Sequence, residues 1–177
     1  MPEAERGEWR LFAYCYFCNT VKCAAVANAI AVKYGFKAIT PKIIQRKWMK
    51  GTPTEAVHDY LPGYVFVYTQ EAQVNPRELC RIDGVLRCLG ERELNYVLTG
   101  TDLDFANMLL GCDGTIGILK AYQEGDRVRL AKNALGGFEG EIIKLDRRRG
   151  RAQIQYSFDG ISYKVWVGYE LIEESAQ

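Results

Sequence analysis

Two early stretches of the chain have the hydrophobic pattern of β-strands. From Leu11 to Tyr16 the residues alternate, which puts Phe12, Tyr14 and Tyr16 on one face. Further along, Val65 to Tyr68 is a short β-branched and aromatic run that follows a Leu-Pro-Gly-Tyr turn. Each stretch predicts a strand.

Helices are predicted where apolar residues recur between capping signals. Thr20 offers an N-cap to a helix over Val21 to Tyr34, and Gly35 stands where its C-terminus is expected. The residues expected on its buried side include Ala24, Ala25 and Val32. Asn75-Pro76 predicts a second helix start and Thr101 a third.

The remaining elements of the first 112 residues are shorter. A strand interrupted by Pro41 is predicted over Phe36–Ile44, and a hairpin or loop over Gln45–Thr54. Gly84 to Gly90 predicts another strand. The resulting order, β-α-β-β-α-β-α, is typical of an α+β sandwich.

After residue 114 the pattern changes to short strands separated by glycines and charged residues. Spacing of about ten residues between strands is typical of a small closed barrel. The strands are predicted at Arg127–Ala131, Gly140–Leu145, Ala152–Phe158 and Tyr163–Val167. We therefore expect a first domain over 1–112, a linker over 113–123 and a barrel over 124–177.

Composition restricts the function classes. The 177 residues are 48% hydrophobic and 25% charged with a net charge of +1, so nucleic-acid binding would need a local basic patch. No apolar run approaches the roughly 20 residues of a membrane span. The first eight residues are polar and acidic without a signal core. We expect a cytoplasmic protein.

The six cysteines include one pair with functional spacing. Cys15-x-x-Cys18 could bind zinc or cycle as a redox pair, but the single histidine, His58, is remote in sequence. His58 and Asp59 have no nucleophile motif beside them. We expect packing cysteines, no metal, no cofactor and no enzyme; a thiol or zinc enzyme is the alternative.

Two motifs carry a resemblance to a known family. The segment Gly125–Leu130 followed by Gly136–Ile143 resembles the KOW motif, and Leu61–Val67 is similar to the Pro-Gly-Tyr strand of the NusG N-terminal domain. Their order and separation cover nearly the whole chain. The resemblance to NusG transcription factors implies an NGN-type α/β sandwich with an antiparallel-rich sheet, then a five-stranded SH3-like KOW barrel.

The resemblance also implies partners. Members bind RNA polymerase through an apolar pocket of the first domain, and the matching positions here are Tyr14, Tyr16, Leu61, Tyr64 and Phe66. Aromatic side chains suit such contacts because they bury a large area. We expect a monomer that acts in transcription elongation or antitermination.

Details of the barrel resemble the LoaP-type antiterminators within that family. These are the run Ile116–Asp126, the basic run from Ile143, and Asp159-Gly160-Ile161 where general NusG proteins have Phe-Gly-Arg. That departure puts Rho and the ribosome in doubt as partners; a housekeeping NusG that couples polymerase to one of them is the alternative. Binding to nascent RNA is expected at Lys144, Arg147, Arg148, Arg149 and Arg151, although a solvated turn is the alternative. A weaker basic group comprises Arg46, Lys47 and Lys50 with Trp48.

Overall fold

The first strand, β1 (Phe12–Cys18), lies inside a four-stranded antiparallel sheet in a computed structural model that describes residues 11–71, 75–90, 92–131 and 141–173. The strand order is β2 (Lys37–Ile39), β5 (Tyr64–Thr69), β1 and β6 (Val85–Cys88). In the central pair, Tyr14 lies opposite Val67. The two predicted strands with the clearest pattern thus form the middle of the sheet.

Helix α1 (Cys23–Tyr34) covers one face of this sheet with Val26 and Ile30, both fully buried. A short 3₁₀ turn, Thr20–Lys22, precedes it, and the Asn19 side chain accepts a hydrogen bond from the Val21 amide. The expected buried positions Ala24, Ala25 and Val32 are wrong, since all three are exposed. The helix is rich in alanine and valine on every side, so its sequence does not reveal which face is buried.

The opposite face of the sheet is covered by α3 (Gly100–Gly111), which buries Phe105 and Leu109. A four-residue helix, α2 (Pro76–Leu79), lies between the strands β5 and β6 in sequence. As predicted, Asn75 caps α2, accepting a hydrogen bond from the Arg77 amide at 3.1 Å. The sheet therefore lies between two helical layers.

A long hairpin follows β2. Its strands β3 (Lys42–Met49) and β4 (Thr52–Asp59) pair antiparallel from Lys42–Asp59 to Met49–Thr52. Lys50 and Gly51 form the turn, both with positive φ, which matches a two-residue hairpin turn. Pro41 separates β2 from β3 because it cannot donate a ladder hydrogen bond.

The C-terminal part forms a curled five-stranded sheet, consistent with a small β-barrel-like domain. In spatial order its strands are β10 (Glu141–Asp146), β11 (Arg151–Phe158), β12 (Ile161–Leu171), β8 (Leu119–Glu124) and β9 (Arg127–Leu130). The glycine-rich half of the KOW-like segment, Gly136–Gly140, lies outside the described residues.

Two strands occupy the stretch predicted as a linker. Strand β7 (Thr115–Ile116) pairs with β3 in the first domain, whereas β8 pairs with β12 in the C-terminal sheet. Gly117 and Ile118 alone separate the two strands. The side chain of Ile118 lies against Gly168, where an added Cβ would be 2.5 Å from Ile118 Cδ1.

Candidate functional site

Phe66 and Tyr64 lie on the face of β5 that is turned toward α3 and the C-terminal sheet. Both contact one hydrophobic core, and Phe66 is completely buried. They share this face because they are two residues apart on the strand.

The C-terminal sheet covers this face with its own aromatic side chains. The Phe158 ring lies 5.2 Å from that of Phe66 and 5.6 Å from that of Tyr64, the latter in an edge-on arrangement. Phe105 of α3 stacks on Tyr156 at 5.2 Å. We call the seven rings of this contact the aromatic interface: Tyr60, Tyr64, Phe66, Phe105, Tyr156, Phe158 and Tyr163.

Hydroxyl groups add polar contacts to the aromatic interface. The Tyr60 and Tyr156 hydroxyls interact with each other, as do the hydroxyls of Tyr64 and Tyr163. Burial, reinforced by these neighbours, raises the pKa of Tyr60 and Tyr64 well above its ordinary value, and burial raises that of Tyr156. The phenols therefore stay neutral at physiological pH and serve as hydrogen-bond donors.

A tight turn of the C-terminal sheet contacts the first domain at the edge of the aromatic interface. Asp159 and Gly160 join β11 to β12 with φ values of 51° and 69°, the left-handed pair of a two-residue hairpin turn. The Asp159 amide donates to Asp102 Oδ1 at 3.1 Å, and Arg87 of β6 lies 3.9 Å from the Asp159 carboxylate. Burial raises the pKa of Asp102, with a further contribution from the Asp159 charge.

The five residues predicted to bind polymerase do not share one hollow. Tyr14 and Tyr16 are buried on the opposite face of the sheet, in the cluster that contains α1, and the Tyr16 hydroxyl donates to the Pro76 carbonyl at 3.0 Å. The strand register explains this separation, since directly paired residues on adjacent strands share a face. In that register Tyr14 lies opposite Val67, not Phe66.

Leu61 belongs to the aromatic side. It is buried in the same core as Phe66 and has a φ of 52°, which is unusual for leucine. Two residues later Gly63 has a φ of 95°, and an added Cβ would be 3.0 Å from the Phe17 ring. The Cys18 amide donates to the Gly63 carbonyl at 2.7 Å, so the Pro-Gly turn is held against β1.

The predicted RNA-binding residues surround the hairpin turn between β10 and β11. Asp146 organises it: its carboxylate accepts from the Arg149 amide and from Arg151 Nε, both at 3.1 Å. The backbone amide and Arg151 lower the pKa of Asp146. Arg147 reaches across to the Asp126 carbonyl, whereas Arg148 is exposed. The turn is therefore a fixed structure that displays arginines.

Trp166 is a site residue that the sequence reasoning missed. The Arg151 guanidinium lies over its ring at 4.8 Å, and Trp166 pairs across the strands with Gln153, whose other partner is Lys144. The signal was present in β12, because Ser162, Lys164 and Trp166 alternate with the inward Tyr163, Val165 and Val167. A tryptophan on the polar face of a strand is unusual.

Cys15 and Cys18 lie on opposite faces of β1, each in a different core cluster. Burial raises the pKa of the Cys15 thiol well above its usual range and that of Cys18 to about 12. A protonated, buried thiol is a poor nucleophile and a poor zinc ligand. These facts favour packing cysteines over the thiol or zinc alternative.

The remaining candidate groups do not converge on a reactive centre. His58 and Asp59 are neighbours on a strand and point to opposite faces, and Asp59 pairs with Lys42. Within residues 11–71, 75–90, 92–131 and 141–173, no three histidine, cysteine or acidic side chains are grouped as a metal site requires. Over the same residues, no helix has the length and apolar character to cross a membrane.

The fold and the covered aromatic face define a class: an α+β domain joined to a small curled β-sheet that packs on it. No protein-family model matches the sequence, and no curated protein matches it. A solved structure concerning domain interaction in Thermotoga maritima NusG is similar, with a TM-score of 0.53 and 15% identity. It matches 92% of this chain and 96% of its own. The chain thus has a NusG-like fold.

Proposed function

We propose that this chain is a NusG-type transcription elongation factor whose first domain binds RNA polymerase and whose C-terminal sheet recruits RNA to the same complex. One observation carries the proposal: Tyr64 and Phe66 form an aromatic surface that the C-terminal sheet covers in place of another protein. The NusG-like fold and the two sequence motifs support it.

The polymerase-binding surface comprises Leu61, Tyr64 and Phe66, and it excludes Tyr14 and Tyr16. Those two tyrosines face α1 and are almost wholly buried there, so a partner could reach them only after the helix left. By contrast, the surface around Phe66 is uncovered when the C-terminal sheet moves away as a unit. Binding of polymerase and packing of the C-terminal sheet are therefore mutually exclusive.

We propose RNA rather than Rho or the ribosome as cargo, as in a LoaP-like antiterminator. The turn Asp159-Gly160 replaces the Phe-Gly of the general factors, and here it docks on Asp102 and Arg87. The arginine-rich turn on the other side of the sheet is exposed and available to phosphates. Tethering by the first domain would raise the local concentration of the RNA-binding sheet at the elongating polymerase.

The test is a pull-down of RNA polymerase with the full chain and two matched variants. Tyr64→Ala plus Phe66→Ala removes rings from the first domain, and we expect binding to be lost. Phe158→Ala removes the opposing ring, and we expect binding to increase. Both variants lose part of the aromatic interface, so circular dichroism and thermal unfolding must show that each is folded. Equal loss of binding by both, or no binding by the wild type, would refute the proposal.

RNA recruitment is tested separately with the full chain. We expect binding to a structured RNA to weaken as salt increases, because arginine–phosphate contacts release counterions. Replacing Arg148 and Arg149 by alanine should weaken binding and flatten the salt dependence, whereas Lys33→Ala on α1 should change neither. Binding to Rho or the ribosome in the absence of RNA binding would favour the housekeeping role.

A further inference from the structure

The two basic groups of the sequence, one in each part of the chain, lie side by side. Gly150 ends the arginine-rich turn, and a Cβ added there would be 3.9 Å from Nη1 of Arg46 in β3. The Tyr169 amide of β12 donates to the Gly150 carbonyl at 2.9 Å, and β12 itself packs on β3. The basic turn of the C-terminal sheet is therefore seated against the first domain's hairpin.

On the first-domain side, the basic surface continues to a tryptophan. Trp48 is two residues beyond Arg46 in β3, so both side chains project from the same face of the hairpin, about 7 Å apart along the strand. The Trp48 side chain is 52% exposed, and its cross-strand neighbour is Pro53. This exposed ring lies in a basic stretch of the hairpin, between Lys47 and Lys50 in sequence.

On the other side of the arginine turn lies the second tryptophan. Arg151 follows Gly150 and places its guanidinium over Trp166 at 4.8 Å. Lys144 lies in the same cross-strand row as Trp166. The order across the surface is thus Trp166, Arg151, the arginine turn, Arg46 and Trp48.

The charge of this surface is strongly positive. Glu55 pairs with Arg46 at 3.6 Å, and Asp146 pairs with Arg151 at 3.1 Å. In the part of the chain that the structure describes, no ion pair engages Lys47, Lys50, Lys144 or Arg148. Unpaired cations close to aromatic rings are suited to a phosphate chain whose bases are free to stack.

We propose that these residues form one binding track for single-stranded RNA across both parts of the closed chain, with Trp48 and Trp166 as base-stacking platforms at its ends. The inference rests on the proposed RNA role of the C-terminal sheet and extends that site into the first domain. The track exists while the C-terminal sheet packs on the first domain, an arrangement that we call the closed chain. In this arrangement the chain can bind RNA before it binds polymerase. Duplexes fit less well because their bases are already stacked.

The experiment measures fluorescence anisotropy of a labelled single-stranded RNA of about 12 nucleotides, within the range that such grooves cover, with the full chain. Trp48→Ala should weaken binding by about tenfold, since one stacked base contributes that order of affinity. Trp48→Phe should restore most of it. Leu86→Ala, an exposed apolar residue on β6, is the matched control and should have no effect.

The outcomes separate this inference from the proposed function. If Arg148→Ala plus Arg149→Ala weakens binding and Trp48→Ala does not, the composite track is refuted while RNA recruitment stands. If the wild type binds no RNA, both the track and RNA recruitment are refuted. The pull-down then tests polymerase binding by the first domain independently. Tighter binding to a matched DNA strand or DNA duplex than to RNA also overturns the assignment. Thermal unfolding confirms that each variant is folded.

Discussion

The rings of Phe66 and Phe158 lie 5.2 Å apart, so a residue predicted to bind polymerase is instead in contact with the chain's own C-terminal sheet. An intramolecular contact is favoured by the high effective concentration of a tethered domain. A competing partner must therefore offset the stability of the aromatic interface. Under the proposed function, the strength of that interface sets how readily the chain binds polymerase.

Truncating Phe158 should weaken the packing of the C-terminal sheet on the first domain and so favour the open form, in which the two parts are separated. Loss of a buried phenyl ring costs about 3–5 kcal/mol, and here the cost falls mainly on the contact between the two parts. We expect Phe158→Ala to lower the unfolding temperature of the C-terminal sheet and to increase polymerase binding. Ile161→Ala, an exposed residue after the same turn, is the control and should leave both unchanged. An unchanged affinity for polymerase in folded Phe158→Ala would contradict the competition.

Asp102 should make stability depend on pH in the acidic range. Its pKa is raised above the ordinary 3.8, because burial disfavours the carboxylate in the folded state and outweighs the hydrogen bond from the Asp159 amide, which favours it. The folded chain therefore binds this proton more tightly than the unfolded chain does, and stability decreases as pH rises through the window above 3.8. Asp102→Asn keeps the acceptor for the Asp159 amide and removes this decrease.

We expect Asp102→Asn to be more stable than the wild type at neutral pH and to lose that advantage below the window. Thermal unfolding measured at several acidic and neutral pH values tests this. Asp104→Asn, an exposed residue on the same helix, serves as the control for the change in net charge. A stability difference that is independent of pH would show that ionisation of Asp102 is not its cause.

Three tyrosines of the aromatic interface should resist ionisation in alkali. The pKa values of Tyr60, Tyr64 and Tyr156 are raised above the ordinary 10.0, mainly by burial. The neutral form is favoured in the folded state, so stability is intact below pH 10.0 and decreases as pH rises above it. Phenolate absorbance should show these groups titrating only when the chain opens.

An unfolded sample in urea provides the reference, in which all tyrosines titrate near the ordinary value. Tyr64→Phe removes one of these three phenols and should reduce the part of the absorbance change that appears only at higher pH. If the native and unfolded titration curves coincide, these phenols are not protected and the contact between the two parts is open in solution.

Cysteine reactivity should follow burial. Cys15 and Cys18 are buried, and their pKa values are raised, the latter to about 12. Cys23 is half-buried at the start of α1. We expect a thiol reagent to modify Cys23 first and to reach Cys15 and Cys18 only after unfolding, measured by mass spectrometry of labelled peptides. Rapid labelling of Cys15 and Cys18 in the native chain would revive the thiol-enzyme alternative.

Several strands and caps were predictable because each depends on a few neighbouring residues, although the predicted Thr20 cap is wrong, since Asn19 caps the 3₁₀ turn that Thr20 begins. Asn75 before Pro76 and the alternation of Phe12, Tyr14 and Tyr16 determine local geometry. Register is not local: the sequence does not show that Tyr14 lies opposite Val67. For that reason the sequence could not reveal that Tyr14 and Tyr16 face away from Phe66.

The contact between the two parts could not be predicted from the sequence either. Tyr156 and Phe158 alternate with polar residues, which a barrel's own core would explain equally well. Their contact with Phe105 joins residues about fifty positions apart, and no short motif encodes such a pairing. Trp166, by contrast, was predictable, because the alternation of β12 places it on the polar face of the strand.

Gly117 and Ile118 limit how the chain can open. Strand β7 pairs with the first domain and β8 pairs with the C-terminal sheet, so these two residues form a short connection and not a long flexible linker. Any separation of the C-terminal sheet from the first domain must therefore take place at these two residues or break a strand pairing. A larger residue at 168 would meet the Ile118 side chain and force one of the two to shift.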